Sequence, residues 1–368
     1  MTYRPKIKDV HRPVRIGVDR IRIGGDVHGL NAGIVDLDGW CWALLALLDG
    51  TRTVDQVIAD LVPRFPGKSA DDVRADINDL ALAGYVEDAD EAMPDELSER
   101  ERVRYASSMA YWRWVDLTPN RPSGQVQVLL RRARVVVMGV GGVGCSAALA
   151  LVQSGVGHVH CVDSDVVELS NLSRQGLFTE LDVGLPKVSV AVARLHAHNS
   201  DIKVTGERLI IDGPGALAAL AVGFDVVLLA ADQPEQIRSW TNQACLATGT
   251  AWVHGGYHGP EAGIGLYRPG TGPCYECGHA EERAHQALRP TRTSWPPAIG
   301  LGAPHAVNAV SAGITGLLAA HAAMRLITGA PALRVNCQYR YNLATLLETA
   351  VLGPEVPSPE CRFCGPQV

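Results

Sequence analysis

The chain carries no excess of positive charge. Its 33 Lys and Arg face 39 Asp and Glu, for a formal net charge of −6 and a pI near 6.1. That balance excludes wrapping of nucleic acid, which needs a basic face to neutralise phosphates. Basic clusters occur at Arg100–Arg104 and Arg131–Arg134. Acidic residues accompany the first, and both read as solvated faces. Long uninterrupted apolar runs are missing too. The longest mostly apolar stretch, from Ala306 to Leu326, contains Asn308, Ser311, Thr315 and His321. Those polar groups would be costly in hydrocarbon, so the expectation is a buried helix and no membrane. Met1-Thr-Tyr-Arg-Pro-Lys is not followed by an apolar segment, which predicts no signal peptide and a cytoplasmic location. There is no internal repeat. What is present is a 47% hydrophobic composition, able to bury a large core, and nine cysteines. In a reducing compartment these point to metal binding or free thiols rather than disulfides.

The 368 residues divide into three regions. Residues 1–90 read as short strands followed by helices. Pro13-Val-Arg-Ile-Gly-Val-Asp and Arg20-Ile-Arg-Ile alternate as half-exposed strands do, and Gly33-Ile-Val-Asp-Leu-Asp is a third candidate. Trp40, Ala43, Leu44 and Leu47 recur at helical spacing up to Gly50. Thr53 can cap a second helix, through Val62. Ser69 can cap a third, from Ala70 to about Ala83, and Tyr85-Val-Glu-Asp closes the region as a strand. Gly67-Lys68-Ser69 is not a phosphate loop: the position of that loop's first glycine holds Val62, and no strand leads in. The order predicts a small winged helix-turn-helix (α+β) domain. Its third helix carries Asp71, Asp72, Asp76 and Asp79, which phosphates would repel, so peptide binding along a strand edge is expected instead of DNA binding. Residues 91–124 are charged and proline-punctuated, and read as a linker with one helix.

The third region, 125–368, alternates strands and helices. Arg134–Met138, His158–Asp163, Lys203–Ile210 and Asp225–Ala230 are strand candidates, with helices near 143–154, 186–198, 215–222 and 235–247. This predicts an α/β fold, a Rossmann-like, mostly parallel sheet with helices on both faces. Val135-Val-Val-Met-Gly139-Val-Gly141-Gly142-Val-Gly144 is a strand entering a glycine turn and a helix, where backbone N–H groups and the helix dipole favour phosphate. Asp163 ends the next strand, where a carboxylate binds ribose hydroxyls in dinucleotide folds. To this point a nicotinamide oxidoreductase and an ATP enzyme are equally served. Asn171, Arg174, Lys187 and Asp232 follow. Hydride transfer has no need of such cations, whereas charge moving from an α-phosphate onto pyrophosphate does. Cys274-Tyr-Glu-Cys277 and Cys361-Arg-Phe-Cys364 form two knuckles whose four thiolates can close a tetrahedral, structural zinc shell. Cys41, Cys145, Cys161, Cys245 and Cys337 stand apart as core thiols.

Residues 100–368 resemble the superfamily of ubiquitin-activating enzymes and their bacterial ThiF/MoeB relatives. The likeness rests on the Gly139–Gly144 turn, Asp163, Ser170-Asn171-Leu-Ser-Arg174-Gln175, Gly184-Leu-Pro-Lys187, Asp232 and the two knuckles. It implies ATP with Asp163 on the ribose, Arg174 and Lys187 on phosphates with Asn171 beside them, Mg²⁺ on Asp232, and a homodimer. The implied reaction is adenylation of a carboxylate. Two features depart from the pattern. Pro290-Thr-Arg-Thr-Ser-Trp-Pro-Pro-Ala-Ile lacks the reactive cysteine that several relatives carry after the first knuckle. Arg104-Tyr105-Ala-Ser107 lacks the second arginine of an Arg-Tyr-x-Arg-Gln segment, a role that leaves Arg104 and Arg113 as substitutes.

Residues 1–90 are similar to PqqD-like recognition elements, through Asp49-Gly50-Thr-Arg-Thr-Val-Asp-Gln-Val and the helix before it. Joined to a ThiF-like domain, this implies a precursor peptide captured by its leader, in ribosomal peptide natural-product biosynthesis. The first expectation is an enzyme that activates a carboxylate of that peptide. Its rival is a non-catalytic partner delivering precursor to a YcaO-type cyclodehydratase.

Overall fold

The computed structural model describes residues 3–287, 306–346 and 349–365. The chain forms two compact units, Met1–Leu129 with Gly329–Ala332, and Leu130–Thr328 with Leu333–Val368.

The first unit is built on short strands and capped helices. β1 (Pro5–Ile7) pairs antiparallel with β5 (Val86–Asp88). β2 (Val14–Ile16), β3 (Arg20–Ile23) and β4 (Ala32–Val35) form an antiparallel meander. The alternation seen in sequence is real: Ile21 and Ile23 are buried, while Arg20 and Arg22 face solvent. Three helices follow, α1 (Trp40–Leu47), α2 (Val54–Leu61) and α3 (Ala70–Leu82). Thr53 and Ser69 cap α2 and α3 in reciprocal boxes with Gln56 and Asp72, so each satisfies a backbone N–H that the helix leaves open. Ile21, Ile23, Trp40, Leu44, Val57, Leu61, Val73 and Ile77 close one core. Residues 91–124 hold two helices rather than one, α4 (Glu99–Arg104) and α5 (Ala106–Val115). α4 starts at a Ser98–Glu101 capping box.

After α6 (Gln125–Arg132), the second unit is an eight-stranded sheet. β6 (Arg134–Met138), β7 (His158–Val162), β8 (Lys203–Glu207), β9 (Val226–Leu229) and β10 (Ala251–His258) lie parallel in the order β10-β9-β6-β7-β8. α7 (Gly142–Gln153), α8 (Lys187–His198), α9 (Pro214–Ala221) and α10 (Ile237–Thr248) connect them. The expected strand at 203–210 stops at Glu207, and Leu209–Ile211 leave the sheet. Sequence reading did not anticipate the antiparallel extension, in which β10 hairpins into β11 (Glu261–Tyr267), followed by β12 (Cys337–Asn342) and β13 (Thr349–Leu352). Glycines at 255, 256, 263 and 265 interrupt these strands and hide their periodicity.

After α11 (Tyr275–Ala287), the apolar stretch near 306–326 forms α12 (Ala309–Thr328), packed on α7 and β10. By length and composition α12 could cross a membrane, yet 56% of its apolar window is buried inside the fold. Small residues make this possible. A Cβ on Gly316 would meet the Val143 carbonyl at 2.4 Å, so α12 lies against the backbone of α7. The hydroxyls of Thr315 and Thr328 donate to the carbonyls four residues earlier, at 2.8 Å in each case. β6 and β9 are neighbours whose connections leave in opposite directions, which opens a crevice at their carboxyl ends.

Candidate active site

A cleft of about 660 Å³ occupies that crevice. Gly139, Gly141 and Gly142 form one wall, and Asp163, Arg174, Lys187 and Asp232 converge on it. The glycines differ in purpose. Gly139 has φ +86°, and a Cβ there would meet Ala231 N at 2.9 Å. On Gly144, which does not line the cleft, a Cβ would strike the Gly139 carbonyl oxygen at 1.8 Å, so this glycine fixes how closely α7 approaches the turn. Among the described residues a Cβ on Gly141 would come no nearer than 3.9 Å, to the Gln175 side chain, and would project into open space. Gly141 thus keeps the cleft open rather than the fold intact.

Asp163 braces the turn. Its Oδ2 accepts the Val140 N–H at 2.7 Å, and its Oδ1 accepts the Asp165 N–H at 2.8 Å. A carboxylate has about four acceptor positions, which leaves capacity for two hydroxyls. Lys187 is the first residue of α8 and is buried. Its Nζ donates to Asp165 Oδ2 at 2.8 Å, and its own N–H to the Asp165 carbonyl at 3.0 Å. Its side chain is 7% exposed against 63% for Asp165, so the ammonium is held inward. Arg174 Nη1 donates to the Ser170 carbonyl at 3.1 Å. Asp232 is exposed, just beyond β9. Asn171 sits differently from Asp163, Arg174, Lys187 and Asp232. It is buried, and its Oδ1 accepts the Glu168 N–H at 3.0 Å, capping the short turn that delivers Arg174. It does not line the cleft.

Three cleft residues were not singled out from sequence. Gln175 is buried, and among the described residues its Oε1 has no donor. Tyr257, at the end of β10, has its phenol pKa raised by burial, and lies beside Arg174 and Asp232. Arg238, in the first turn of α10, reaches the strand at Gly256. A lone arginine or tyrosine outside a spaced motif carries no signal. Arg113 is tied to Glu87 within the first unit. The 290–299 segment lies outside the described residues.

An open backbone cradle, a braced carboxylate, an orphaned acceptor and inward-held cations suit a nucleotide's ribose and phosphates. An exposed Asp232 suits Mg²⁺, which binds through one or two carboxylates plus phosphate oxygens. The four knuckle sulfurs lie within 4.8 Å of one another. Cys274 and Cys361 are separated by 3.7 Å, Cys277 and Cys364 by 3.3 Å. A tetrahedron of Zn–S bonds near 2.3 Å spaces its sulfurs by about 3.8 Å, so the cluster fits a closed zinc shell. Burial opposes the Cys361 thiolate, but the N–H groups of Phe363 and Cys364 and the neighbouring thiols outweigh it, bringing its pKa down to about 7.

The ThiF family model matches residues 116–363. The chain belongs to the ThiF family. Among ThiF relatives, the Escherichia coli K12 molybdopterin-synthase adenylyltransferase is 35% identical over 183 residues, covering 50% of this chain and 70% of that protein. The Culex quinquefasciatus adenylyltransferase and sulfurtransferase MOCS3 is 40% identical over 153 residues, 42% of this chain and 34% of that protein. The chain thus spans about a third of the length of that relative. A crystal structure of E. coli MccB superposes with a TM-score of 0.75 at 22% identity, over 99% of this chain and 97% of that one, which shows the shared fold.

Two outcomes follow from the geometry. Gly144→Ala should fail to give folded protein. Gly141→Ala should fold with a near-unchanged melting temperature but bind nucleotide more weakly, by equilibrium dialysis with labelled ATP. Elemental analysis of chelator-free protein should find about one zinc per chain. Cys361→Ser should lose it and lower the melting temperature, since structural zinc contributes directly to folding.

Proposed function

We propose that the chain is an ATP-dependent adenylating enzyme acting on a carboxylate of a ribosomally made precursor peptide. The convergence of Asp163, Arg174, Lys187 and Asp232 on one glycine-walled cleft carries this reading. Its relatives are named adenylyltransferases. MccB, described as a microcin C7 biosynthetic enzyme in complex with N-formylated MccA, shares the fold along nearly the whole chain, first unit included. Another MccB structure carries ATP.

In the reaction a peptide carboxylate oxygen attacks the α-phosphorus, the bond to the bridging oxygen of the β-phosphate breaks, and pyrophosphate leaves. No proton is transferred. Asp163 holds the ribose through its remaining acceptor positions. Arg174 and Lys187 hold phosphate oxygens, and Lys187 turns from Asp165 to do so. Asp232 would hold Mg²⁺, which would supply neutralisation of the charge that develops on pyrophosphate. A zinc held by the four knuckle thiolates would be fully ligated and would supply structure rather than chemistry. The β2–β4 meander with α1–α3 is a PqqD-like winged helix-turn-helix that binds the leader as an added strand. We extend the proposal to a cytoplasmic homodimer.

Exchange of labelled pyrophosphate into ATP, in the presence of short carboxylate-bearing peptides, reports the adenylation step. Asp232→Asn should lose about 10²–10³-fold in rate while keeping ATP affinity within a few-fold. Asp163→Ala should instead raise the KM for ATP, because it removes contacts shared by ground and transition states. Wild-type protein that binds no ATP and supports no exchange would remove the enzymatic reading and favour delivery to a YcaO-type partner.

A further inference from the structure

The cleft has a second wall that nucleotide binding does not use. In register across β10, β11 and β12, Gly256 lies opposite Gly263, and Gly263 opposite Arg340. Directly opposed residues share a face, so the three form one row. It is the face of Trp252 and His254, toward α9 and α10. Two adjacent glycines in the middle of a sheet leave a floor without side chains. Among the described residues the floor above Gly263 is open, since a Cβ there would meet only backbone oxygens, at 3.8 and 4.0 Å. Gly265 in the next row contrasts with it: a Cβ there would strike the His254 ring at 2.3 Å.

The arginines at the two ends of the row differ. Arg340 is satisfied, with Glu261 and Glu282 each at 3.3 Å. Arg238 lies over Gly256, its Nη2 3.1 Å from where a Cβ would stand. Among the described residues no carboxylate lies within 4.0 Å of it. His254, on the same face, is buried, its Nε2 has no partner among the described residues, and burial followed by Arg238 and Arg340 brings its pKa down to about 3. A neutral imidazole offers Arg238 no counter-charge. Gly256 and Arg238 both border the nucleotide cleft.

We propose that Arg238 seats the carboxylate of the acyl substrate, and that the Gly256–Gly263 floor receives the extended peptide end that bears it. This rests on the adenylation reading and supplies what that reading lacks, a group to bring an anion against a triphosphate. A guanidinium fork binds one carboxylate oxygen and offsets repulsion from the phosphates, while the other oxygen faces the α-phosphorus. A floor of glycine admits backbone at close range and excludes nothing by side-chain size.

The test is pyrophosphate exchange with two pools of synthetic pentapeptides, one with free C-terminal carboxylates and one amidated. Activity of the first pool alone identifies a main-chain carboxylate, and activity of both a side-chain one. Arg238→Ala should lose at least about 30-fold in kcat/KM for peptide, with the KM for ATP within threefold of wild type. Arg238→Lys, which keeps charge but not the fork, should fall between. Gly263→Leu should melt within two degrees of wild type, because its side chain enters open space, yet raise peptide KM at least tenfold. Wild-type exchange with Arg238→Ala kcat/KM within threefold overturns the seat and leaves adenylation standing. An unchanged peptide KM in Gly263→Leu overturns the floor. Absence of exchange by wild type with either pool overturns the adenylation reading and the seat with it.

Discussion

The carboxylate of Asp163 holds the backbone on both sides of the cleft it faces. One oxygen takes the N–H of Val140 inside the glycine turn, and the other takes the N–H of Asp165 two residues downstream. This single group joins the end of β7 to the turn after β6. Asp165 then receives Lys187, so the position of the buried ammonium depends on the same carboxylate at one remove. The turn can lie that close only because Gly139 and Gly144 have no Cβ. A side chain at 144 would separate α7 from the turn and pull the glycine wall of the cleft away from Arg174 and Lys187.

The sheet divides its work along its width. The parallel half presents strand ends, helix N-termini and cations, the apparatus of phosphate binding. The antiparallel half presents a glycine-floored face and ends near the knuckles. There Cys361 and Cys364, near the end of the chain, stand against Cys274 and Cys277. A closed four-thiolate shell suits a long, glycine-interrupted extension that could otherwise fray, because metal binding free energy becomes folding free energy.

The parallel half was legible because its signals are local and redundant. Val135–Val137 is a run of β-branched residues just before the glycines, and the strand and the helix after it fall where patterning puts them. Capping by Thr53 and Ser69 was legible for the same reason: one side chain at the right spacing determines the geometry. β1 was not, since three residues beginning with proline have no periodicity to read. β10–β13 were obscured by their glycines. In the site, the residues with fixed spacing were found, and Arg238, Tyr257 and Gln175 were not singled out. Their meaning comes from register and from an unpartnered atom, and neither is written in linear order. Asn171 shows the converse. The motif marks it, but its side chain is spent on capping the turn below Arg174.

In the proposed reaction a peptide carboxylate oxygen attacks the α-phosphorus of ATP. Isotope transfer to AMP tests it once an acyl acceptor has discharged the adenylate. Carboxylate-bearing pentapeptides labelled with oxygen-18 in their carboxyl groups are incubated with the protein, MgATP and pyrophosphatase, and the released AMP is weighed by mass spectrometry. The account predicts one labelled oxygen in the AMP, because the bridging oxygen comes from the peptide and stays on phosphorus when the acyl group is taken by a nucleophile. Consumption of ATP to unlabelled AMP, or to ADP, would contradict it.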